Sequence, residues 1–391
     1  MSLAIDRGAR RRAAPPFLQN AFRPFFLGGA IWVALQVPLW IAEYMGWIGP
    51  GAGELGHAHE MLFGFLAAII CGFALTAIPN WTGRAPVAGG GLSWLFALWL
   101  AGRLAMLAAA DSWGLWIDVA FLPVLTLVVV REIVAGRNWW NLPVAGLIGL
   151  FTLSHIAFHQ PAFTQHGIRG SFAVTVLLIA LIGGRIVPSF TRNWLAARGD
   201  AAAKAVAPPM QSLDKLVIAM TAIALAAWVV LPEYPLPGGL MLLVAAAHAV
   251  RFHRWQWSRT FAEPLMWSLH AGYVWIVPAL AITGAGILWP ETVSYEAGFH
   301  ALGTGLIGAM TLAVMTRASL GHTGRERVAD GATTAIFLLV HLGALLRVAA
   351  ALMFDPPALL GLSAIVWSSA FGLFAMAYAP ILFGGRKAEP A

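Results

Sequence analysis

Long apolar blocks separated by short polar stretches run the length of the chain, near residues 25–45, 60–79, 91–110, 114–131, 142–159, 170–190, 214–231, 237–250, 265–289, 299–316, 332–353 and 358–383. About 20 residues of this kind wind into a helix long enough to cross roughly 30 Å of hydrocarbon. The block at 237–250 is short and its ends are poorly marked. The pattern predicts an all-α, polytopic membrane protein of about twelve transmembrane helices. It divides the chain into a basic cytoplasmic segment at 1–24, a transmembrane domain at 25–383 and a cytoplasmic tail at 384–391.

Composition agrees: 60% of residues are hydrophobic and 10% charged, where soluble domains carry roughly 25% charged residues. Lys and Arg gather in short cytoplasmic loops, which tests the helix count. With the N-terminus inside, successive cytoplasmic segments hold Arg7, Arg10, Arg11, Arg12 and Arg23, then Arg84, then Arg131 and Arg137. The next hold Arg192, Arg198, Lys204 and Lys215, then Arg251, Arg254 and Arg259, then Arg317, Arg325 and Arg327, and last Arg386 and Lys387. The opposite loops keep only Arg169, and Arg103, Arg185 and Arg347 lie within spans. Dropping one helix destroys this alternation, so both termini are expected in the cytoplasm.

The net charge of +7 then reflects loops facing anionic lipid and calls for no nucleic-acid partner. The N-terminal MSLAIDRGARRRAAPP resembles the start of a signal peptide, but the apolar run after it is too long and lacks a cleavage site, so it is expected to remain as the first helix. Cys71 is the sole cysteine, which excludes a disulfide framework and covalent haem attachment.

The chain carries traces of internal repetition. His59 precedes Thr82-Gly83-Arg84, and His300 precedes Thr323-Gly324-Arg325, at one common offset of 241 positions. His166 precedes Thr191-Arg192 at a similar distance, and Arg103 precedes Asp111 as Arg347 precedes Asp355. These spacings suggest three degenerate four-helix units, each opening its second helix with a histidine; chance coincidence is the alternative.

Six of the eleven histidines, His57, His59, His155, His159, His166 and His300, fall at or just beyond the ends of apolar runs, and the charge pattern places all six on the outer side. Imidazole is a common ligand for haem iron and copper, so this distribution points to a bound metal centre. In Gly56-His57-Ala58-His59-Glu60 two histidines and a glutamate meet the start of the second span. Either one metal recruits both imidazoles, or His59 faces the bundle and His57 faces outward. Glu60 suits the helix dipole, and it is also placed to orient an imidazole or to carry protons. His155 and His159 are four apart and share a helical face, as metal ligands do. His300 follows by the repeat argument, while His166 is expected in a solvated loop.

His341 and His270 lie within spans, where an ionisable group is a functional hypothesis by default. His341 suits an axial haem ligand, a proton step or a core hydrogen bond. Arg103 and Arg347 need anionic partners. Asp111 and Asp355, eight residues further on, are about 12 Å away along a straight helix, so haem propionates or an interhelical carboxylate such as Glu60 are the alternatives. His248, His253 and His322 sit in or near basic segments, where lipid headgroups account for them.

His57-Ala58-His59-Glu60-Met61-Leu62-Phe63-Gly64-Phe65, Pro79-Asn80-Trp81-Thr82-Gly83-Arg84, the segment from Gly183 to Thr191 and the segment from Met315 to Arg325 together resemble the NnrS family of bacterial membrane proteins. The resemblance runs from about Phe22 to the last helix. It implies a twelve-helix protein of the bacterial inner membrane that holds non-covalent, b-type haem and copper and is linked to denitrification, nitrosative stress and nitric oxide. It supplies no ligand list. From the residues, His57, His59, His155, His159 and His300 are the metal-ligand candidates, Arg103, Arg347 and His341 the haem candidates, and Glu60 the candidate proton carrier.

Two functional classes follow. In the first, nitric oxide reaches an outer-leaflet metal centre through the lipid bilayer and is bound there, or reduced with electrons from a membrane donor. In the second, the same histidines are transient ligands of a haem or metal transporter, or of a factor that protects or assembles another metalloprotein. Carriers usually bind near the midplane, which favours the first class.

Overall fold

The structure is a computed structural model that describes residues 9, 11–49, 51, 53–109 and 113–387; Arg7, Arg10 and Asp111 lie outside the described residues. These residues form helices and no strand. Twelve helices among them are long and apolar enough to cross a membrane, and the chain is a multi-pass membrane protein. They are α1 (Phe22–Tyr44), α2 (Gly53–Thr82), α3 (Gly90–Ala108), α4 (Trp113–Ala135), α5 (Trp139–Phe158) and α6 (Thr164–Ala197). The second six are α7 (Ser212–Val230), α8 (Pro235–His253), α9 (Pro264–Leu288), α10 (Tyr295–His322), α11 (Gly331–Leu352) and α12 (Pro357–Phe383). Each coincides with one apolar block of the sequence, and the doubtful eighth is a full helix of 19 residues.

Local chemistry fixes several boundaries. Pro235 and Pro264 open α8 and α9 at the helix position where a missing N–H costs nothing. Gln211 and Asp214 close a reciprocal cap at the start of α7, and Asp330 caps α11 by accepting from the Thr333 N–H. Gly83 and Gly324, at φ +66° and +69°, end α2 and α10 in the left-handed turn that a side chain resists.

Helices α2, α6 and α10 stand apart. They are the longest, at 30, 34 and 28 residues, and 61–78% of their apolar windows is buried, against 33–50% for the other nine. Each also contains a stretch of π-helix, Glu60–Leu66, Ile179–Gly183 and Ala301–Ile307 respectively. The recurrence at every fourth helix matches the period of the sequence repeat. Compactness follows a different division, into two units: residues 1–171 with 317–326 and 374–391, and residues 172–316 with 327–373.

In the first unit α1 lies against α2, where a Cβ on Gly72 would stand 2.9 Å from the Phe26 ring. Helix α3 packs along α4, and α4 along α5. In the second unit α8 and α9 pack backbone to backbone: a Cβ on Gly238 would lie 2.9 Å from the Gly284 carbonyl, and one on Gly284 2.7 Å from that of Gly238. Small residues permit this closeness between membrane helices.

Candidate metal centre

In the first unit the first halves of α2 and α4 meet the end of α5. Helix α2 brings His59, at the last α-helical position before its π-helical stretch. In a regular helix neighbouring side chains diverge by about 100°, yet here Glu60 turns back so that its Oε1 lies 2.9 Å from His59 Nδ1. π-Helical bulges of this kind recur at functional sites. Gly64, one turn on, leaves the space that Glu60 fills: a Cβ there would stand 2.6 Å from Glu60 Oε2 and 2.9 Å from Trp32 Nε1.

Helix α4 contributes Asp118, and α5 contributes His155 together with His159, the residue that caps its end. Four atoms converge, one each from His59, Asp118, His155 and His159, all within 4.8 Å of one another. Asp118 Oδ2 lies 2.9 Å from His59 Nε2, 2.9 Å from His155 Nε2 and 3.6 Å from His159 Nε2. His155 Nε2 stands 3.4 Å from His59 Nε2 and 3.2 Å from His159 Nε2.

The protons available to these rings decide what the cluster is suited to hold. A neutral imidazole has one N–H and one lone pair, and an ionised carboxylate only accepts. The His59 ring faces a carboxylate at both nitrogens, Glu60 at Nδ1 and Asp118 at Nε2. His155 Nε2 meanwhile faces two other imidazole nitrogens as well as Asp118. With its proton on Nδ1, where Glu60 accepts it, His59 turns a lone pair toward the common focus. A cation at that focus answers His59, His155, His159 and Asp118 together. Four ligands about 2.0–2.1 Å from a tetrahedral ion stand about 3.3 Å apart; five of the six separations here, at 2.9–3.6 Å, bracket that value, and the sixth, between His59 and His159, is within 4.8 Å. Three imidazoles and a carboxylate suit zinc, copper, iron or nickel rather than calcium or magnesium.

Surrounding groups hold the donors in place. Glu60 accepts from Trp32 Nε1 at 2.7 Å and from Arg103 Nη1 at 2.8 Å on each oxygen. Arg103 reaches on to Asp118 through its second terminal nitrogen, so one guanidinium fixes both the carboxylate that orients His59 and the one that joins the cluster. Such outer partners set ligand tautomer and basicity. Phe63 stacks on the His155 ring at 4.1 Å, and Phe158 meets His159 edge-on at 5.3 Å. The result is a dry centre, with His59, Asp118 and His155 each 1–2% exposed. His159 lies just past the end of α5, and burial followed by the charges of His59 and Arg103 lowers its pKa to about 4. It is therefore a neutral donor at pH 7.

Not every expected residue joins this group. His57 stacks on Trp40 of α1 at 4.1 Å, so of the pair only His59 turns into the cluster, and His57 packs against a neighbouring helix rather than facing solvent. His300, in the second unit, lies 2.5 Å from Arg347 Nη2. The Arg347–Asp355 pair, expected to be out of reach on a straight helix, forms at 2.6 Å because α11 stops at Leu352 and the chain folds back through Phe354 and Asp355, at φ +60° and +52°. Trp275 Nε1 donates to His341 Nδ1 at 3.0 Å, which puts the proton of the neutral ring on Nε2 and leaves no free lone pair for an axial ligand. Arg103 is held by Glu60 and Asp118, and Arg347 by Asp355, so protein groups fill the role considered for haem propionates.

Three further placements correct the sequence reading. His166 sits in the first turn of α6 rather than in a loop. His248 meets no headgroup; it is fully buried between Thr221 Oγ1 at 3.0 Å and Tyr273 OH at 3.2 Å. Arg251, assigned to a cytoplasmic loop, is equally buried and binds Asp214, Tyr273 and the Ala180 carbonyl. The sequence reading does not include Asp118, although a carboxylate inside an apolar span carries the same signal as the imidazole of His341.

Fold and site define a polytopic helical membrane protein with a histidine–aspartate group that fits a metal ion. A family model described as NnrS protein matches residues 16–386, and the chain belongs to the NnrS family. No curated protein matches it.

Proposed function

We propose that His59 Nε2, His155 Nε2, His159 Nε2 and Asp118 Oδ2 hold a redox-active transition metal, copper, and that the protein serves nitric oxide metabolism or tolerance at this centre. The observation that carries the reading is the convergence of three imidazole nitrogens on one carboxylate oxygen, with nitrogen–nitrogen separations of 3.2 and 3.4 Å. Copper supplies a one-electron couple and an affinity for nitric oxide. The chain's own residues do the rest: Glu60 keeps the His59 proton on Nδ1, Arg103 fixes Glu60 and Asp118, and Phe63 and Phe158 exclude water. Nitric oxide, small and apolar, arrives through the bilayer, and His159, the most exposed of the four, marks the approach.

The basic loops support an inner-membrane protein with both termini in the cytoplasm. Reduction, as opposed to binding, draws electrons from a membrane donor, and Glu60 serves it by positioning His59. Haem, which the family resemblance suggested, finds no fitting ligand among Arg103, Arg347 and His341.

The test is metal analysis and visible and electron-paramagnetic spectroscopy of the full chain purified in mild detergent, with and without nitric oxide. One tightly held copper per chain, lost in His155→Ala, His159→Ala and Asp118→Asn and spectrally altered by nitric oxide, supports the reading. A Soret band that survives those substitutions, or a colourless chain whose metal exchanges freely, sinks it, and the second outcome favours carriage.

A further inference from the structure

At the end of the first unit where α1 begins and α12 ends, positive charge gathers with no counter-charge paired to it among the described residues. Arg23 is 1% exposed, and its Nη1 donates to the carbonyls of Leu382 and Gly384 at 2.6 and 2.7 Å, which leaves its Nε buried with no partner. Arg325 Nη1 is likewise buried and unpartnered. Arg23 feels the charges of Arg325 and Arg11, and His322 those of Arg11 and Arg386. The tail is tied across this end by a hydrogen bond from the Lys387 N–H to the Thr323 carbonyl at 3.0 Å. Among the described residues no ion pair reaches Arg11, Arg23 or Arg325, and Glu326, beside them in sequence, is exposed.

The internal repeat supplies a control. Arg84 follows Gly83 at the end of α2 as Arg325 follows Gly324 at the end of α10, through the same left-handed turn. Arg84 meets a carboxylate, its Nε lying 2.8 Å from Glu132 Oε2. Arg325 occupies the equivalent place with cations around it instead. Buried guanidinium groups are ordinarily paired, and the planar fork of arginine matches phosphate oxygens as well as carboxylates.

We propose that Arg11, Arg23 and Arg325 form a binding site for a phosphate group, carried either by a phospholipid headgroup or by a soluble phosphate. The bound anion supplies the counter-charge that Glu132 supplies to Arg84, and it anchors the start of α1 to the ends of α10 and α12.

The experiment uses the full chain, delipidated in neutral detergent, titrated in separate arms with inorganic phosphate and with micelles containing phosphatidylglycerol or, as control, diacylglycerol. Retained phosphorus and Tm are read for wild type, Arg325→Gln and Arg11→Gln. Wild type is expected to show saturable binding and a rise in Tm, and each variant to bind at least about tenfold more weakly, the equivalent of one hydrogen bond to a charged group. A response to inorganic phosphate identifies a soluble anion as sufficient; a response to phosphatidylglycerol alone identifies the headgroup. Without anion, Arg325→Gln is expected to unfold no lower than wild type, because a like charge has gone. Absence of saturable binding in both arms, or a variant that unfolds lower yet binds phosphate like wild type, overturns the proposal and reduces the arginines to helix-end caps.

Discussion

Replacing Glu60 by Gln tests whether the carboxylate orients a ligand or merely neutralises Arg103. Four donor contacts converge on its two oxygens: His59 Nδ1 at 2.9 Å, Trp32 Nε1 at 2.7 Å and Arg103 Nη1 at 2.8 Å to each. Glutamine has the same shape but one acceptor oxygen, so either orientation of its amide sets an N–H against the Arg103 donor and against Trp32 or His59. Each lost hydrogen bond to a charged group costs roughly 1.5–3 kcal/mol. Loss of an outer partner of a metal-bound histidine typically lowers affinity about 10- to 100-fold, or roughly 1.4–2.7 kcal/mol. The amide orientation that keeps its oxygen on His59 gives up the Trp32 contact, so affinity should fall near the lower end of that range while Tm falls as well. The assay strips the detergent-solubilised chain with a chelator and titrates copper back in competition with a chelator of known affinity, alongside thermal unfolding of the stripped protein. Wild-type affinity in a Glu60→Gln chain that unfolds at lower temperature would refute the orienting role.

Gly64→Ala forces a methyl against Glu60 and Trp32 and should weaken copper binding at least as much as Glu60→Gln; unchanged affinity in the same titration would show that the pocket yields. His57→Ala removes a ring stacked on Trp40 outside the cluster and should leave metal content at the wild-type value by elemental analysis. Asp330→Ala removes the α11 cap and should cost about 1 kcal/mol at pH 7, read as a drop in Tm that Asp330→Asn avoids. The hydrogen bond from Thr333 holds the Asp330 pKa below its ordinary value. Its contribution is therefore complete above the unfolded pKa of about 3.9 and lost as pH falls through the lower folded value, so wild type and Asp330→Asn should diverge only in acid.

The twelve helices were legible because each spans one apolar block, and the bounding charges alternate as bilayer topology demands. Half of the cluster was legible too, since His155 and His159 share a face by spacing alone. Choosing between His57 and His59 was not, because a π-helical stretch leaves no periodic mark yet resets which side chains face inward. Asp118 carries a readable signal too, an ionisable group within α4, but nothing in its spacing links it to the histidines. The Arg347–Asp355 pair shows the limit of measuring along an ideal helix, for two left-handed residues after Leu352 abolish the assumed 12 Å. Arg251 shows that positive-inside counting locates a residue near the bilayer edge without telling whether its side chain faces water or protein.

The extra residue wound into α2 between Glu60 and Leu66 has a consequence for length variation in this chain. Deleting one residue from an ordinary membrane helix rotates everything beyond it by about 100° and ruins a packed face. In α2 the same deletion can relax the wide turn to regular α-helix, leaving the half from Ala67 onward in register while swinging His59 off its target. A chain shortened there would insert and pack, yet have lost the very imidazole that turns toward Asp118, so architecture and chemistry become separable by a single codon.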